Sequence, residues 1–577
     1  MNAVPSLVLF SLLAFLRAWS ATTLVGDPKN PGTLPQAILD AHAHGATDIT
    51  IAPGTYYISS QNHGDTLALE DWNDTTIHAT GVTLVFEELA HAGVLFHHCH
   101  RVSWDGGTLR FAQPAYTQGR IESITPDASG IMCTWRLDAG YPTKLQDSSC
   151  FNVVDPATRR LKIGVGDQSC GKLEQISPDV FHLHYRPGQK FGFAVNDWLV
   201  ARTVGGNSVV IHDDCDACTT ANVTLQNGGW GAFFEHDGAG ANRYLHCTVE
   251  PGPRPAGATE EELVGGGADG LHSNATRTGP DIEDFTCRGV FSDDCIAIHG
   301  MLHRVLQTDG VRVRTEGFHP LPGDPLRVAS VHGFFAQATI TKVEPNADGT
   351  VWLTLDRDLH VPADSLVDKD PKGGTQASDP DECGAGYRIL GCHLGDTRSR
   401  GILVKGDNGV IDGTTLDGCG MSAISIGPEF WWREAGYSWH VVVSNNQIIG
   451  CGQENADQAA LYIHGDGAIG NQDIVVKNNR FIRNYGTAIA DLEWADGVEL
   501  TDNHFDGSFP LPPPGNKGHI LNVTHCRNVK LLGNTVTNQR TGAGDLVQRD
   551  PSVTASDIQG NDASGISISK AVDSAGR

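Results

Sequence analysis

The sequence predicts an all-β fold: a right-handed parallel β-helix carrying two inserted antiparallel, barrel-like β subdomains. Three observations carry that prediction. Short Val/Ile/Leu/Phe runs alternate with Asn, Gly and Asp turns, as in HVVVSNNQIIGCGQ, DIVVKNNRFIRNYGTAIA and NVKLLGNTVTN. The unit recurs every roughly 20–30 residues, a solenoid period. The 577 residues include 68 Gly but only 4 Met, a bias toward turns and away from helices. One such unit cannot bury its apolar face, whereas stacked units can, each strand pairing in parallel with its counterpart on the next coil. Asn at the turns tolerates left-handed backbone, and its amides can ladder from coil to coil.

The elements follow in order. Residues 1–20 read as a signal peptide: Leu7–Phe15 is an apolar run, and Ala18 and Ser20 place small residues before a cleavage site. Residues 21–109 form the N-terminal coils, opened by an amphipathic helix over Leu34–His42 that caps the solenoid. The stretch 110–205 loses the Asn rhythm and alternates with period 2, so it reads as an inserted β subdomain. The repeat resumes over 206–302 and is interrupted again over 303–385, where ATITKVEPNADGTVWLTLDRDL contains a hairpin turn at NADG. Residues 386–553 are the C-terminal coils, and 554–577 a polar, frayed tail.

Lys+Arg total 41 against 68 Asp+Glu, a net charge of −27 with His neutral. That sign disfavours nucleic acid and anionic membrane surfaces as partners, and polyanions generally unless a local basic cleft overrides it. After Phe15 no run reaches the roughly 18 apolar residues of a membrane span. The reading is a secreted, extracellular glycoprotein. Its 14 cysteines suit an oxidising compartment, and sequons stand at Asn73, Asn222, Asn274 and Asn522. Cys150 with Cys170 and Cys383 with Cys392 are local candidates for disulfides. Cys215 and Cys218 form a CxxC without a second pair, which points to a disulfide or to core cysteines and not to zinc.

The chemistry concentrates in ADGLHSNATRTGPDIEDFTCRGVFSDDCIAIHG. With Leu271, Ile296 and Ile298 facing inward, alternation turns His272, Asp293, Cys295, Ala297 and His299 outward. Asp269 and Asp294 sit at strand starts. Asp269 and Asp293 are about one coil apart and neighbouring strands lie about 4.8 Å apart, so the three acids should cluster. Carboxyls that close raise at least one pKa, and a protonated acid beside an ionised one is what glycoside hydrolysis needs. Calcium binding by the same acids and plain turn residues are the alternatives.

These motifs resemble the centre of family 110 glycoside hydrolases, the α-1,3-galactosidases, within the pectin-lyase-like parallel β-helix hydrolases. FAQPAYTQGRI, LDAGYPT and SRGILVKGDNGVIDGTTLDGCGMSAISIGPEFWWREAGYSWHVVVSNNQIIGC extend the resemblance, which covers roughly 34–538. It implies a β-helix with inserted β-barrels, no metal or cofactor, and inverting, exo-acting cleavage of terminal α-galactose from an oligo- or polysaccharide. Cys295-Ile-Ala departs from the family pattern, and DDCIAI is closer to the polygalacturonase motif. Polygalacturonases also carry Gly-His-Gly and Arg-Ile-Lys to grip a uronate. At the coil taken to correspond, this chain has GMSAISIG, which favours a neutral sugar. The candidate roles are Asp293 as general acid, with Asp269 and Asp294 activating water. His272 and His299 bind hydroxyls or hold a carboxylate. Glu434, Trp432, Trp230 and Glu235 line the substrate cleft. Alternatives are a polygalacturonase-like hydrolase, a polysaccharide lyase (for which no basic cluster is evident beside Asp269 and Asp293) and a non-catalytic glycan-binding β-helix.

Overall fold

In a computed structural model the chain is described over residues 22–553 and 558–559, apart from 61–63, 128–129, 146–149, 204–205, 363–365, 367–373, 454–458, 487, 509–518 and 539–546. The signal-peptide segment and nearly all of the tail expected at 554–577 lie outside the described residues. Each coil contributes one short strand to each of three long parallel sheets, which among the described residues run to 14, 12 and 12 strands, the last becoming a 13-stranded sheet with the short antiparallel strand Glu434–Ala435. Register is kept from coil to coil: Leu271 pairs with Ile296, which pairs with Ile402, which pairs with Ile424. A right-handed parallel β-helix is therefore the fold, as the repeat predicts.

The physical reason is visible in the strands. Their central residues are apolar and buried, their flanks polar, and one continuous apolar cluster extends from Val25 to Val553 along the interior. The N-terminal helix, Leu34–Ala43, lays Leu34 and Ile38 onto the first coil. At the turns, Asn-Asn pairs divide the labour. Asn445 and Asn478 take left-handed backbone at φ 57° and 56°. Asn446 and Asn479 then point inward, and the amide ladder continues through Asn503 to Asn534 with N–O distances of 2.9, 3.0 and 2.9 Å. Each rung satisfies buried donors that water cannot reach, which contributes about 1 kcal/mol.

Two antiparallel subdomains interrupt the solenoid. The first, from Tyr116 to Arg202, is a seven-stranded sheet with its own core around Trp135, Phe151 and Phe181. It is an open path of strands and not the small barrel expected there. The second, from His303 to Ser378, closes into a six-stranded barrel around Val305, Leu326 and Leu353. The solenoid stacks straight across both gaps: Thr108–Phe111 pairs with Thr224–Gln226, and Asp281–Glu283 with Arg388–Leu390. The first insertion leaves before a strand of the 13-stranded sheet and the second after one, so the two flank that sheet on opposite edges.

The cysteines depart from expectation. Twelve of the fourteen are buried. Cys383 and Cys392 are not bridged: Cys392 lies in the solenoid core and Cys383 in a separate cluster with Leu302 and Tyr437. Each thiol donates instead to a carbonyl, of Asp379 at 3.2 Å and Leu390 at 3.5 Å respectively. Cys215 and Cys218 are core cysteines, donating to the carbonyls of Phe96 and Cys99. Of the sequons, Asn73 and Asn222 are exposed, whereas Asn274 and Asn522 are half-buried.

Candidate active site

Three strand starts on the 13-stranded sheet open into a cleft of about 470 Å³. Its floor is the outward row His272, Ala297 and Leu403, in register on neighbouring coils. One wall is the first insertion, through Asn152, Asp167 and Arg202. The other is the segment carrying Trp432 and Glu434. That segment docks by a short antiparallel pairing of Ala435 with Gly300 and Glu434 with Met301, which brings Glu434 next to His299.

Asp269, Asp293 and Asp294 each place a carboxylate oxygen within 4.8 Å of the others. Glycines permit the approach: a Cβ on Gly267 would stand 1.9 Å from the Gly229 carbonyl oxygen, and one on Gly270 would stand 2.4 Å from the Cys287 sulfur. The three acids have different surroundings. Asp269 is 3% exposed and accepts from the Asp294 backbone N–H at 3.2 Å and faces His272 Nδ1 at 2.8 Å. Asp294 is 1% exposed and accepts from the Arg400 backbone N–H at 2.7 Å, with the Arg400 guanidinium 3.4 Å away. Asp293 alone is half-buried, keeping an edge in the cleft. Burial and the neighbouring Asp269 and Asp294 charges push its pKa well above the ordinary value, with Arg400 and Arg398 only partly offsetting them. Burial also raises Asp294, against the pull of Arg400.

The two histidines form one hydrogen-bonded line. His299 Nδ1 lies 2.8 Å from the Gly300 carbonyl oxygen and so carries its proton there, leaving Nε2 as an acceptor. His272 Nε2, 3.0 Å away, must donate to it. With Asp269 on its other nitrogen, His272 is built to be an imidazolium. Burial works against that charge, but the Asp269 carboxylate, with Glu434 and Asp294, outweighs it and raises the His272 pKa. Burial pushes His299 down to about 4, so it stays neutral. His272 thus stabilises the fold fully below about pH 6.5, and that contribution is lost as pH rises through its raised folded-state pKa. Thermal melts of the wild type should fall across that window and those of His272→Gln should not. Parallel melting curves would remove the imidazolium assignment.

Behind the acids lies a buried charge network. Arg400 reaches Asp294 and Glu429, and Lys405, 0% exposed, holds Glu429 and Glu434 at 2.8 Å each. Glu434 comes within 4.0 Å of His299 Nε2, which links the network back to the His272–Asp269 pair. Arg400, Lys405 and Glu429 have no place in the sequence reading, which takes GMSAISIG as the coil after the acid pair. In the structure the strand next to Ile296–Met301 is Ile402–Val404, so that coil is SRGILVKG. Its signal is a cation at each end of an apolar core strand, and a basic cluster does accompany the acids.

The other expected residues divide. Trp432 lines the cleft and is 64% exposed. Trp230 is 45% exposed at the rim, its ring 5.9 Å from that of His272. Glu235 is not in the cleft. The register that pairs Phe234 with His272 turns Glu235 inward, opposite Ser273. There it is 0% exposed and accepts from Ser273 Oγ, Asn242 Nδ2 and Tyr244 Oη at 2.6, 3.1 and 3.1 Å. Cys295, expected outward, likewise belongs to the interior cluster.

Among the described residues, two groups of side chains could hold a cation. One is the acid trio; the other is Asp213, His236 and Asp237 on the upstream coils. In the trio the Arg400 guanidinium and two backbone N–H groups already occupy several of the oxygens a hard cation would need.

A family profile described as a right-handed beta helix region matches residues 381–536. No curated protein matches the chain. Among solved structures, the surface adhesin PfbA of Streptococcus pneumoniae is 10% identical over 92% of both chains, with a TM-score of 0.45. The catalytic unit of a GH87 α-1,3-glucanase from Streptomyces thermodiastaticus is 11% identical over 95% of this chain and 69% of that one, with a TM-score of 0.41. The A-module of the Azotobacter vinelandii mannuronan C-5 epimerase AlgE6 is 10% identical over 92% of this chain and 97% of that one, with a TM-score of 0.34. An adhesin, a hydrolase and an epimerase stand side by side here, so the activity has to be read from the chain's own residues.

Proposed function

We propose that the protein is a glycoside hydrolase acting from the end of a glycan on an α-linked, galacto-configured sugar. The observation that carries the reaction class is the unequal trio. A cleft-facing Asp293, its pKa pushed well above the ordinary value, stands beside two carboxylates, one facing the Arg400 guanidinium and one facing His272. Asp293 donates its proton to the leaving glycosidic oxygen. Asp269 or Asp294 takes the proton of the attacking water or attacks carbon itself. His272 positions Asp269, and Trp432 and Trp230 offer faces for stacking a sugar. The galacto configuration rests on the resemblance of ADGLHS and its flanking motifs, and on nothing in the cleft.

The stereochemical course is open to one decisive measurement. Oxygens within 4.8 Å are closer than the about 6.5–9.5 Å of the inverting arrangement. Inversion then requires water to approach from the open side of the trio. A panel of α- and β-linked oligosaccharides, followed by NMR for the first anomer released, tests both levels. The expected result is release of galactose or a galacto-configured relative from an α-linked substrate. A β anomer released first establishes inversion, and an α anomer assigns a nucleophilic carboxylate. Glycan binding without release of any sugar would support the adhesin reading instead.

A further inference from the structure

Arg202 lines the same cleft. It stands at the end of the strand Trp198–Arg202 in the first insertion, half-buried, on the wall facing the acids. The other cations there are committed: Arg398 to Asp167, Arg400 to Asp294 and Glu429, and buried Lys405 to Glu429 and Glu434. Arg202 differs. Its Nε donates to Ser292 Oγ at 2.7 Å, which fixes the plane of the guanidinium beside the turn that carries Asp293. Among the described residues no carboxylate lies within ion-pair distance of it. A guanidinium held in a cleft with its Nη donors unpaired presents a planar fork, the geometry that matches a two-oxygen anion.

We propose that Arg202 receives an anionic group of the substrate, a sugar carboxylate or a sulfate ester, on the side of the cleft walled by the first insertion. This rests on the glycosidase reading of the neighbouring acids and departs from the neutral sugar that the absence of Arg-Ile-Lys suggests. The insertion, and not a solenoid coil, would then set substrate class. The overall charge of −27 makes the selectivity local: a cation in one cleft of a protein that otherwise repels anions.

NMR titration of the full chain with D-galactose, D-galacturonate and D-galactose 6-sulfate tests it. One of the two anions should bind about tenfold or more tighter than galactose, and which one identifies the group. Arg202→Gln should erase that preference while leaving galactose affinity unchanged. Arg202→Lys, which keeps the charge and loses the fork, should retain part of it and guards against a Gln variant that fails to fold. Equal binding of all three sugars, or a preference that survives in Arg202→Gln, overturns the proposal. Its fate is separable from that of the glycosidase reading: Arg202-dependent anion binding with no hydrolysis of any glycoside would sink that reading alone. Hydrolysis of neutral galactosides only, with Arg202→Gln at wild-type KM, would sink this one.

Discussion

Asp293→Asn is expected to lower kcat by about 10²–10⁴-fold with no loss of thermal stability, because general-acid catalysis supplies about that factor. Activity and stability should part because of how the site holds its proton. Asp293 holds its proton to higher pH than an ordinary carboxyl, since burial and two nearby carboxylates oppose its ionisation. In the unfolded chain the same side chain ionises near pH 4. A folded-state pKa raised above the unfolded one makes a contribution that is complete below about pH 4 and is lost as pH rises toward the folded value. At neutral pH the wild type therefore carries a cost that a neutral amide of the same shape does not. The variant should melt at the wild-type temperature or above it, a trade of stability for activity common at functional sites. Asp294→Asn should lower activity too, because it removes the second carboxylate of the trio, the one that faces the Arg400 guanidinium. Near-wild-type turnover by Asp293→Asn would refute the acid assignment. A large loss of stability in the same variant would mean that Asp293 is ionised and paired.

The solenoid was legible because its physics is local and repeated. A residue such as Ile448 or Phe481 faces inward in every coil for the same reason, and the Asn446–Asn479–Asn503–Asn534 ladder follows from one motif read four times. The meeting of Asp269 with Asp293 was legible too, since a parallel coil fixes which residues lie side by side. Side-chain phase was less so. Glu235 looks like a cleft residue because it is charged, yet it faces inward, where Ser273, Asn242 and Tyr244 hydrogen-bond it. Alternation gives two phases, and in FFEH, with aromatic residues in both, hydrophobicity cannot choose between them.

Glu434 was legible from the motif Trp432-Arg433-Glu434-Ala435-Gly436, and the structure adds its route to the site, an antiparallel pairing with Met301 across 133 positions of sequence. Other residues of the cleft were not legible. Arg202 arrives from an insertion whose orientation no periodicity specifies. Arg400 and Lys405 are hidden in the sequence because the inserted barrel separates their coil from the acid pair. A basic residue at the end of an apolar strand reads as a solvated turn, and only tertiary pairing shows that Lys405 is fully enclosed.

Lys405→Met is expected to cost about 3–5 kcal/mol in urea unfolding, because it leaves two carboxylates buried without their cation. The wild-type ammonium sits 2.8 Å from an oxygen of both Glu429 and Glu434. Burial alone would push both carboxyls up, and Lys405, with Arg400, outweighs it for each, holding both below the usual carboxylate range. Depressed folded-state pKa values give stability that is present above the unfolded value of about 4.3 and lost as pH falls through the folded ones. Without Lys405 the sign reverses: the carboxyls rise, and the fold pays to ionise them as pH increases. The loss in Lys405→Met should therefore be largest near neutral pH and shrink toward acid, where both carboxyls are protonated in either state. The double variant Lys405→Met, Glu434→Gln should recover part of the loss, since it removes one of the stranded charges. A cycle of the two changes isolates that coupling, which contact pairs of this kind place at about 0.5–3 kcal/mol. A loss independent of pH would mean that methionine is simply a poor shape for the site. A loss that follows pH, with partial rescue by Glu434→Gln, would show that the ammonium is there to hold a carboxylate at the edge of the cleft in its charged form.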